Sequence, residues 1–123
     1  MATFMAIGAH PDDIELGMGA TVHKLIRQGH AVVCVDLTDG EPTPHGTREL
    51  RAEETAAANG ILGITERVCL ELPNRVLADT EEARRRLAAL MRQHRPDAVF
   101  THVAHDVHPD HVAAALTAVP PPA

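Results

Sequence analysis

Aromatic side chains are nearly missing from this sequence, which has two Phe, no Tyr and no Trp among its 123 residues. The core must therefore be built from Val, Leu, Ile, Ala and Met, and few rings are available on which the bases of a single-stranded nucleic acid would stack. The formal net charge of -6 also argues against a nucleic-acid partner, because an acidic surface repels a polyanion. No apolar run approaches the ~20 residues that a membrane span requires, so we expect none.

Cysteine is also scarce, and the sequence shows no signal-peptide pattern. Cys34 and Cys69 each fall in a predicted strand, where we expect a small buried thiol rather than a disulfide. Both observations favour a reducing, cytoplasmic location.

Apolar runs alternate with helical patterns along the whole chain. Strands are predicted at 3–9, 31–38, 67–72 and 97–103, and helices at 16–28, 48–62, 81–94 and 110–119. Thr47 and Thr80 are placed to cap the second and third helices, and Pro109 suits the first turn of the last one. This order predicts one α/β domain over 1–123, with a mostly parallel sheet covered by helices on both faces. The C-terminal segment VPPPA contains no further predicted strand, so we expect a chain that is shortened at its C-terminus. An unfinished sheet edge would favour association into homo-oligomers.

Histidine is the one residue in excess: there are nine, and four of them lie between residues 102 and 111. Polar clusters follow two of the predicted strands, HPDD at 10–13 and HDVHPDH at 105–111. Ligands of an open parallel sheet bind beyond the carboxyl ends of its strands, so these distant clusters can meet at one rim. Imidazoles and carboxylates together suit Zn²⁺, which takes three protein ligands in catalytic sites.

The spacing within each cluster suggests separate roles. Residues three apart at the start of a helix share one side, so His10 and Asp13 are predicted to hold one ion together. Asp12 points elsewhere and is free to take a proton from water at that ion. In the second cluster His108 and His111 are again three apart, and either can complete the site. A cation would also offset the repulsion between the adjacent carboxylates.

Simpler interpretations exist for single residues. Asp12 or Asp13 alone could cap the helix that follows. For His102 and His105, the sequence favours a place at the rim of the site and a place on the open surface equally. The joint occurrence of HPDD and HPDH at two strand ends nevertheless favours the metal site, because neither capping nor solubility requires both.

The segments AHPDDIELGMGA, DLTDGEPTPHGTRELRAEE and HPDH resemble the LmbE-like, or PIG-L-type, family of metal-dependent de-N-acetylases. The resemblance implies a Rossmann-like, three-layer α/β/α fold. It also implies a small-molecule partner, an N-acetylglucosamine conjugate, from which an acetyl group is removed to give acetate and a free amine. Many members read HPDDE, whereas here Ile14 precedes Glu15, a difference that we expect to leave the ligands intact. Family members are usually considerably longer than this chain.

Carried over by position, the resemblance implies that His10, Asp13 and His111 bind the metal. Zn²⁺ is the expected ion, with Fe²⁺ an alternative, because the same ligands accept both. Asp12 corresponds to the general base of the reaction.

Three further residues have implied roles near the substrate. His108 would stabilise the oxyanion or act as an acid, and Asp110 would orient it. Arg51 would help to bind the substrate. The statistics of side-chain pairs on helices favour equally well a second interpretation, in which Arg51 is exposed and pairs with nearby glutamates.

Two other functions stay open at this point. One is a truncated domain that binds metal but turns nothing over, which the short length and the VPPPA end favour. The other is a Rossmann-type nucleotide-binding module. GMGA at 17–20 lacks the third glycine of a dinucleotide loop, and the adjacent aspartates of HPDD would repel a pyrophosphate. Both features argue against nucleotide binding.

Overall fold

Residues 1–118 are described in a computed structural model, and they form four strands and four helices in alternation. The strands are β1 (Thr3–Gly8), β2 (Ala31–Asp36), β3 (Glu66–Cys69) and β4 (Ala98–Phe100). The helices are α1 (Asp13–Arg27), α2 (Arg48–Leu62), α3 (Glu81–His94) and α4 (Pro109–Ala118). None of the helices within residues 1–118 has the length and apolarity to span a membrane. Val119, the last residue of the predicted final helix, and the Pro-rich end lie outside the described residues.

All four strands are parallel, and their order in the sheet is β3-β2-β1-β4. In β1, Ala6 is paired with Cys34 of β2 on one side and with Phe100 of β4 on the other. The chain runs outward from β1 to β3 and then crosses back to the far side of β1. The winding direction therefore reverses between β1 and β4, and ligands of such sheets bind at this reversal. The two polar clusters follow these two strands.

Apolar clusters on opposite faces of the sheet hold the helices in place. On one face, β1 and β2 pack against Leu87 of α3 and Ala114 of α4. On the other face, they pack against Val22 of α1 and Leu62 of α2. Each fully buried aliphatic side chain contributes about 1.5–3 kcal/mol to stability. The predicted three-layer α/β/α fold is confirmed.

Three of the helices begin where the sequence predicts. The Thr47 hydroxyl accepts the Leu50 N–H at 3.0 Å, and the Thr80 hydroxyl accepts the Ala83 N–H at 3.1 Å. The last helix begins at Pro109. Proline lacks a backbone N–H, which costs no hydrogen bond here because the N–H groups of a first turn have no partner within the helix. These three starts are confirmed.

Several predictions need correction. Helix α1 begins at Asp13 and not near Leu16, because Asp12 takes the N-cap position. Strand β4 is shorter than predicted, since it pairs only with β1. Cys69 is exposed rather than buried, because it ends the edge strand β3, and both cysteines are free. Cys34 is buried as expected, and burial raises the pKa of its thiol to about 12.

Candidate metal centre and active site

The turn between β1 and α1 brings His10 and Asp13 to one side. The Asp13 N–H donates to the His10 carbonyl at 3.2 Å, and Asp13 Oδ2 accepts the His10 N–H at 2.9 Å. Asp12 has a φ of 84°, a left-handed conformation in which Asp is enriched. Its side chain makes no capping hydrogen bond and is 58% exposed. The interpretation of Asp12 as a helix cap through its carboxylate is therefore wrong.

The loop after β4 and the first turn of α4 carry the second cluster. Asp106 Oδ1 accepts the His108 N–H at 2.9 Å, and His108 Nδ1 accepts the Asp110 N–H at 3.1 Å. These local hydrogen bonds fold 106–110 into a turn that leads directly into the helix. His111 follows on this first turn, with its Nε2 directed toward Asp13.

The two clusters meet at one oxygen atom, Asp13 Oδ2. This atom lies 3.1 Å from His10 Nδ1 and 3.2 Å from His111 Nε2. The ligand atoms of the three residues all lie within 4.8 Å of one another. The side chains are between 12% and 19% exposed, so they are shielded from water without being sealed off. Folding thus assembles one site from residues about a hundred positions apart.

Each histidine of this trio presents its other ring nitrogen to a carboxylate. His10 Nε2 lies 2.8 Å from Asp110 Oδ2, and His111 Nδ1 lies 3.1 Å from Asp106 Oδ2. A carboxylate behind an imidazole fixes its tautomer and turns the opposite nitrogen toward a cation, as metal-binding histidines almost always show. The trio therefore fits a divalent ion such as Zn²⁺ or Fe²⁺.

Two more groups of three donors are equally compact: His10, His108 and Asp110, and His102, Asp106 and His111. In each group the carboxylate is one that already orients a histidine of the first trio. In the first trio, by contrast, both histidines have a further carboxylate behind them, so it is the candidate cation site.

Asp110 is fully buried and ties the site to the rest of the fold. Besides its contact with His10, its carboxylate accepts the Arg75 N–H at 2.7 Å and the Leu77 N–H at 3.1 Å. Burial alone would raise its pKa, but these hydrogen bonds favour the charged form and hold the pKa of Asp110 below its usual range. Asp110 also contacts His108, through its main-chain N–H rather than its carboxylate, and its role in orienting that ring stays a prediction.

The adjacent aspartates differ in pKa. Burial opposes ionisation of Asp13, but hydrogen bonds from His10, together with the nearby ring of His102, outweigh it, so the pKa of Asp13 is far below its usual range. The pKa of Asp12 is raised, first by partial burial and then by the charges of Asp13 and Glu15, against the opposing effect of Arg51. A carboxylate with a lowered pKa stays a charged ligand, whereas one with a raised pKa is a better base.

Arg51 reaches from α2 into a cavity beside Asp12. Its Nη2 lies 3.6 Å from Asp12 Oδ2, its Nε lies 3.9 Å from Glu41 Oε1, and the side chain is 23% exposed. The cavity has a volume of about 200 Å³ and is also lined by His10, Asn74, Arg75 and His108. Arg51 therefore faces the site, not the outer surface of its helix.

Comparison with known proteins bears on this arrangement. The family model described as PIG-L, GlcNAc-PI de-N-acetylase, matches residues 5–120. The chain belongs to the PIG-L family. A diacetylchitobiose deacetylase of Thermococcus kodakarensis is 32% identical over 117 residues, covering 87% of this chain and 44% of that protein. This PIG-L chain thus spans less than half the length of that relative.

Solved structures share the fold of this PIG-L chain. The conserved protein TT1542 of Thermus thermophilus gives a TM-score of 0.90 at 42% identity, over 96% of this chain and 54% of that one. GalB, the 4-carboxy-2-hydroxymuconate hydratase of Pseudomonas putida, gives a TM-score of 0.83 at 25% identity, over 96% and 54%. The fold is therefore shared with an enzyme named for a different reaction.

Sequence reasoning missed Asp106 and left His102 undecided. Asp106 orients His111. The sequence did contain a signal for this residue, because an aspartate often accepts the backbone N–H two residues later to form a local turn, as Asp106 does with His108. His102 lies inside the site, with its ring stacked on His111 at a centroid distance of 4.0 Å. His105 is exposed.

Proposed function

We propose that the protein to which this chain belongs hydrolyses the N-acetyl amide of an N-acetylglucosamine-type conjugate. A divalent ion, zinc or ferrous iron, would be held by His10, Asp13 and His111. The observation that carries the proposal is the compact trio of ligand atoms beside the exposed carboxylate of Asp12. A relative named for deacetylation of diacetylchitobiose supports the substrate class. When bound, the ion supplies a Lewis acid for the amide carbonyl and a water of lowered pKa.

Asp12 is the general base of this reaction. Its carboxylate borders the cavity and takes a proton from the attacking water. The water oxygen bonds to the amide carbon, the C–N bond breaks, acetate leaves and the amine takes up a proton. A base in this role accelerates the reaction about 10²–10⁴-fold.

His108 faces the same cavity and supplies a hydrogen-bond donor. Its Nδ1 accepts the Asp110 N–H, so the neutral ring carries its proton on Nε2. This N–H donates a hydrogen bond to the developing oxyanion. The leaving amine takes up the proton that Asp12 received from the attacking water. Asp110 fixes the tautomer through its main chain, and Arg51 binds the polar substituents of the sugar.

Gly40→Ala is expected to weaken substrate binding by displacing Arg51. A Cβ at position 40 would overlap Arg51 Nη1, so the guanidinium must move. We expect KM for an N-acetylglucosaminyl substrate to rise about tenfold, because a hydrogen bond to a charged group contributes about 1.5–3 kcal/mol. Steady-state kinetics would measure this, and kcat should change less than KM.

Gly29→Ala is the matched control. Gly29 has a φ of +89° and Gly40 a φ of +74°, so both variants carry a left-handed strain of about 1–2 kcal/mol. A Cβ at position 29 meets nothing within 4 Å. If the two variants have the same KM, Arg51 has no part in substrate binding.

Acetate release tests the reaction itself. The purified protein is loaded with zinc or ferrous iron, its metal content is measured, and the same sample is incubated with N-acetylglucosaminyl substrates. We expect equal amounts of acetate and free amine, abolished by a chelator and restored by the ion. A loaded protein that releases no acetate would contradict the proposal and favour a metal-binding domain without activity. Because GalB shares the fold, hydration of 4-carboxy-2-hydroxymuconate without acetate release would assign the other reaction.

The two free cysteines are also in keeping with a reducing compartment, and we propose the cytoplasm. Strands β3 and β4 form the two edges of the sheet within the described residues. Association of copies through such an edge stays a prediction.

A further inference from the structure

Three histidine rings form a stack beside the candidate metal centre. The ring of His111 lies in the middle, 4.0 Å from the centroid of His102 with an interplanar angle of 9°. On its other face, the His108 centroid lies 4.7 Å away at an angle of 16°. The middle ring is the candidate metal ligand of α4, and it is therefore held on both faces.

The outer ring of the stack is anchored to the sheet. His102 follows β4, is 15% exposed, and its Nε2 accepts the N–H of Ala9 at 3.0 Å. Ala9 is fully buried, so this hydrogen bond satisfies a donor that water does not reach. The bond joins the carboxyl ends of β4 and β1 and anchors the ring at this edge of the sheet.

The same bond limits what His102 can do for a cation. A ring nitrogen that accepts an N–H has its lone pair engaged, so Nε2 is not free as a ligand. In the neutral ring the proton then lies on Nδ1. Nε2 lies 3.5 Å from Asp13 Oδ2, but it carries no proton to give to that carboxylate.

We propose that His102 is a positioning residue: its ring is a platform that fixes the plane of His111 and directs His111 Nε2 at the carboxylate of Asp13, without binding the ion itself. Asp106 holds His111 at a single atom, Nδ1, and this contact alone does not fix the plane of the ring. A flat surface against its face removes this rotation. The inference rests on the metal site of the proposed function, but not on the reaction assigned to it.

The physical basis is preorganisation. A ligand ring that is already in its bound orientation loses less conformational freedom when the ion arrives. Contacts that orient metal ligands typically change metal affinity about 10–100-fold when they are removed. We expect the platform to have an effect of this size on zinc binding.

Three substitutions of His102 separate a platform from a ligand. Ala removes the ring, Phe keeps a flat ring without nitrogens, and Gln keeps an acceptor without a ring. The dissociation constant for Zn²⁺ is measured by competition with a chromophoric chelator, and the number of ions per chain is measured in the same samples. Absorption spectra with Co²⁺ report the geometry of the bound ion. His105→Ala is the matched control, because His105 is an exposed histidine of the same loop.

The platform predicts that H102A and H102Q weaken zinc binding about 10–100-fold, whereas H102F stays within about threefold of the parent and keeps its Co²⁺ spectrum. H102F loses the Ala9 hydrogen bond, so its thermal unfolding is measured separately, and affinities are compared only among folded samples. If H102F binds zinc as weakly as H102A, a ring nitrogen matters and the platform is overturned. Unchanged affinity in all three variants, or two zinc ions per parent chain and one in H102A, would also overturn it.

The outcomes distinguish this inference from the proposed reaction. A parent protein that binds zinc with the predicted ranking but releases no acetate would leave the platform standing and remove the deacetylase proposal. A parent protein that binds no zinc would overturn the platform together with the metal site. Acetate release without the predicted ranking would remove the platform alone.

Discussion

Replacing Asp12 with asparagine is expected to lower kcat for acetate release about 10²–10⁴-fold, with zinc content and thermal unfolding as in the parent. Asparagine keeps the shape of the side chain but cannot take a proton from water. Asp12 contributes no atom to the ligand trio and no capping hydrogen bond, so the replacement removes neither a ligand nor a cap. Steady-state kinetics and metal analysis on the same preparation would measure the effect.

Asp39→Asn serves as the matched control for this variant. Asp39 lies in the loop after β2, is 21% exposed and pairs with Arg48 at 2.8 Å, outside the cavity that Asp12 borders. Asp39→Asn removes the same charge, and we expect its kcat within about twofold of the parent because surface ion pairs contribute little. An Asp12→Asn protein that works at the parent rate would exclude Asp12 as the base.

Removing the carboxylate of Asp110 is expected to be the most destabilising change in the site. In Asp110→Ala, the N–H groups of Arg75 and Leu77 and the ring of His10 lose a fully buried partner. We expect the free energy of unfolding to fall by about 3–5 kcal/mol. The fall is large because leaving buried donors without an acceptor costs more than the net contribution of the hydrogen bonds that are lost. Chemical denaturation, followed by circular dichroism, would measure the loss.

The control for this variant is Asp106→Ala. Asp106 also supports a histidine of the trio, but its side chain is 27% exposed, so water replaces its hydrogen bonds. We expect a stability change below about 1 kcal/mol together with a 10–100-fold weaker zinc affinity. Equal losses of stability in the two variants would mean that Asp110 does not organise the fold around it.

The stability difference at Asp110 also depends on pH. The pKa of this carboxyl is lowered in the folded state, so its charge stabilises the fold fully above the ordinary Asp pKa of about 3.9. The contribution is lost as the pH falls toward the lower, folded-state pKa. The unfolding free energies of the parent and Asp110→Ala should therefore converge in acid and differ most near neutrality.

Local signals in the sequence were enough to predict the layers and the place of the site. Alternating apolar runs predicted the parallel sheet, Thr47 and Thr80 marked helix starts, and the positions of HPDD and HPDH after two strands predicted that they meet. These features depend on residues near one another in the chain or on a general rule for parallel sheets. The fold class is confirmed, whereas the catalytic roles of the site residues stay predictions.

Contacts between distant residues were beyond the reach of spacing. The pairing of Asp110 with His10 joins positions a hundred residues apart and depends on how α4 crosses β1. The left-handed backbone at Asp12 follows from the tight return of the chain, in which Asp13 Oδ2 accepts the His10 N–H, and not from a residue type that demands it. Likewise, His102 and His105 are the same residue type in one loop, and only the position of Ala9 at the end of β1 distinguishes them.

The three-residue ladder between β4 and β1 has an evolutionary consequence. So short a strand pairing gives α4 little backbone attachment, and the contacts of Asp110 with His10 and with the 75–77 segment provide much of the rest. Drift at these positions would loosen the helix as well as the centre. We therefore expect selection for a folded domain alone to retain this polar junction, whether or not the site is catalytic.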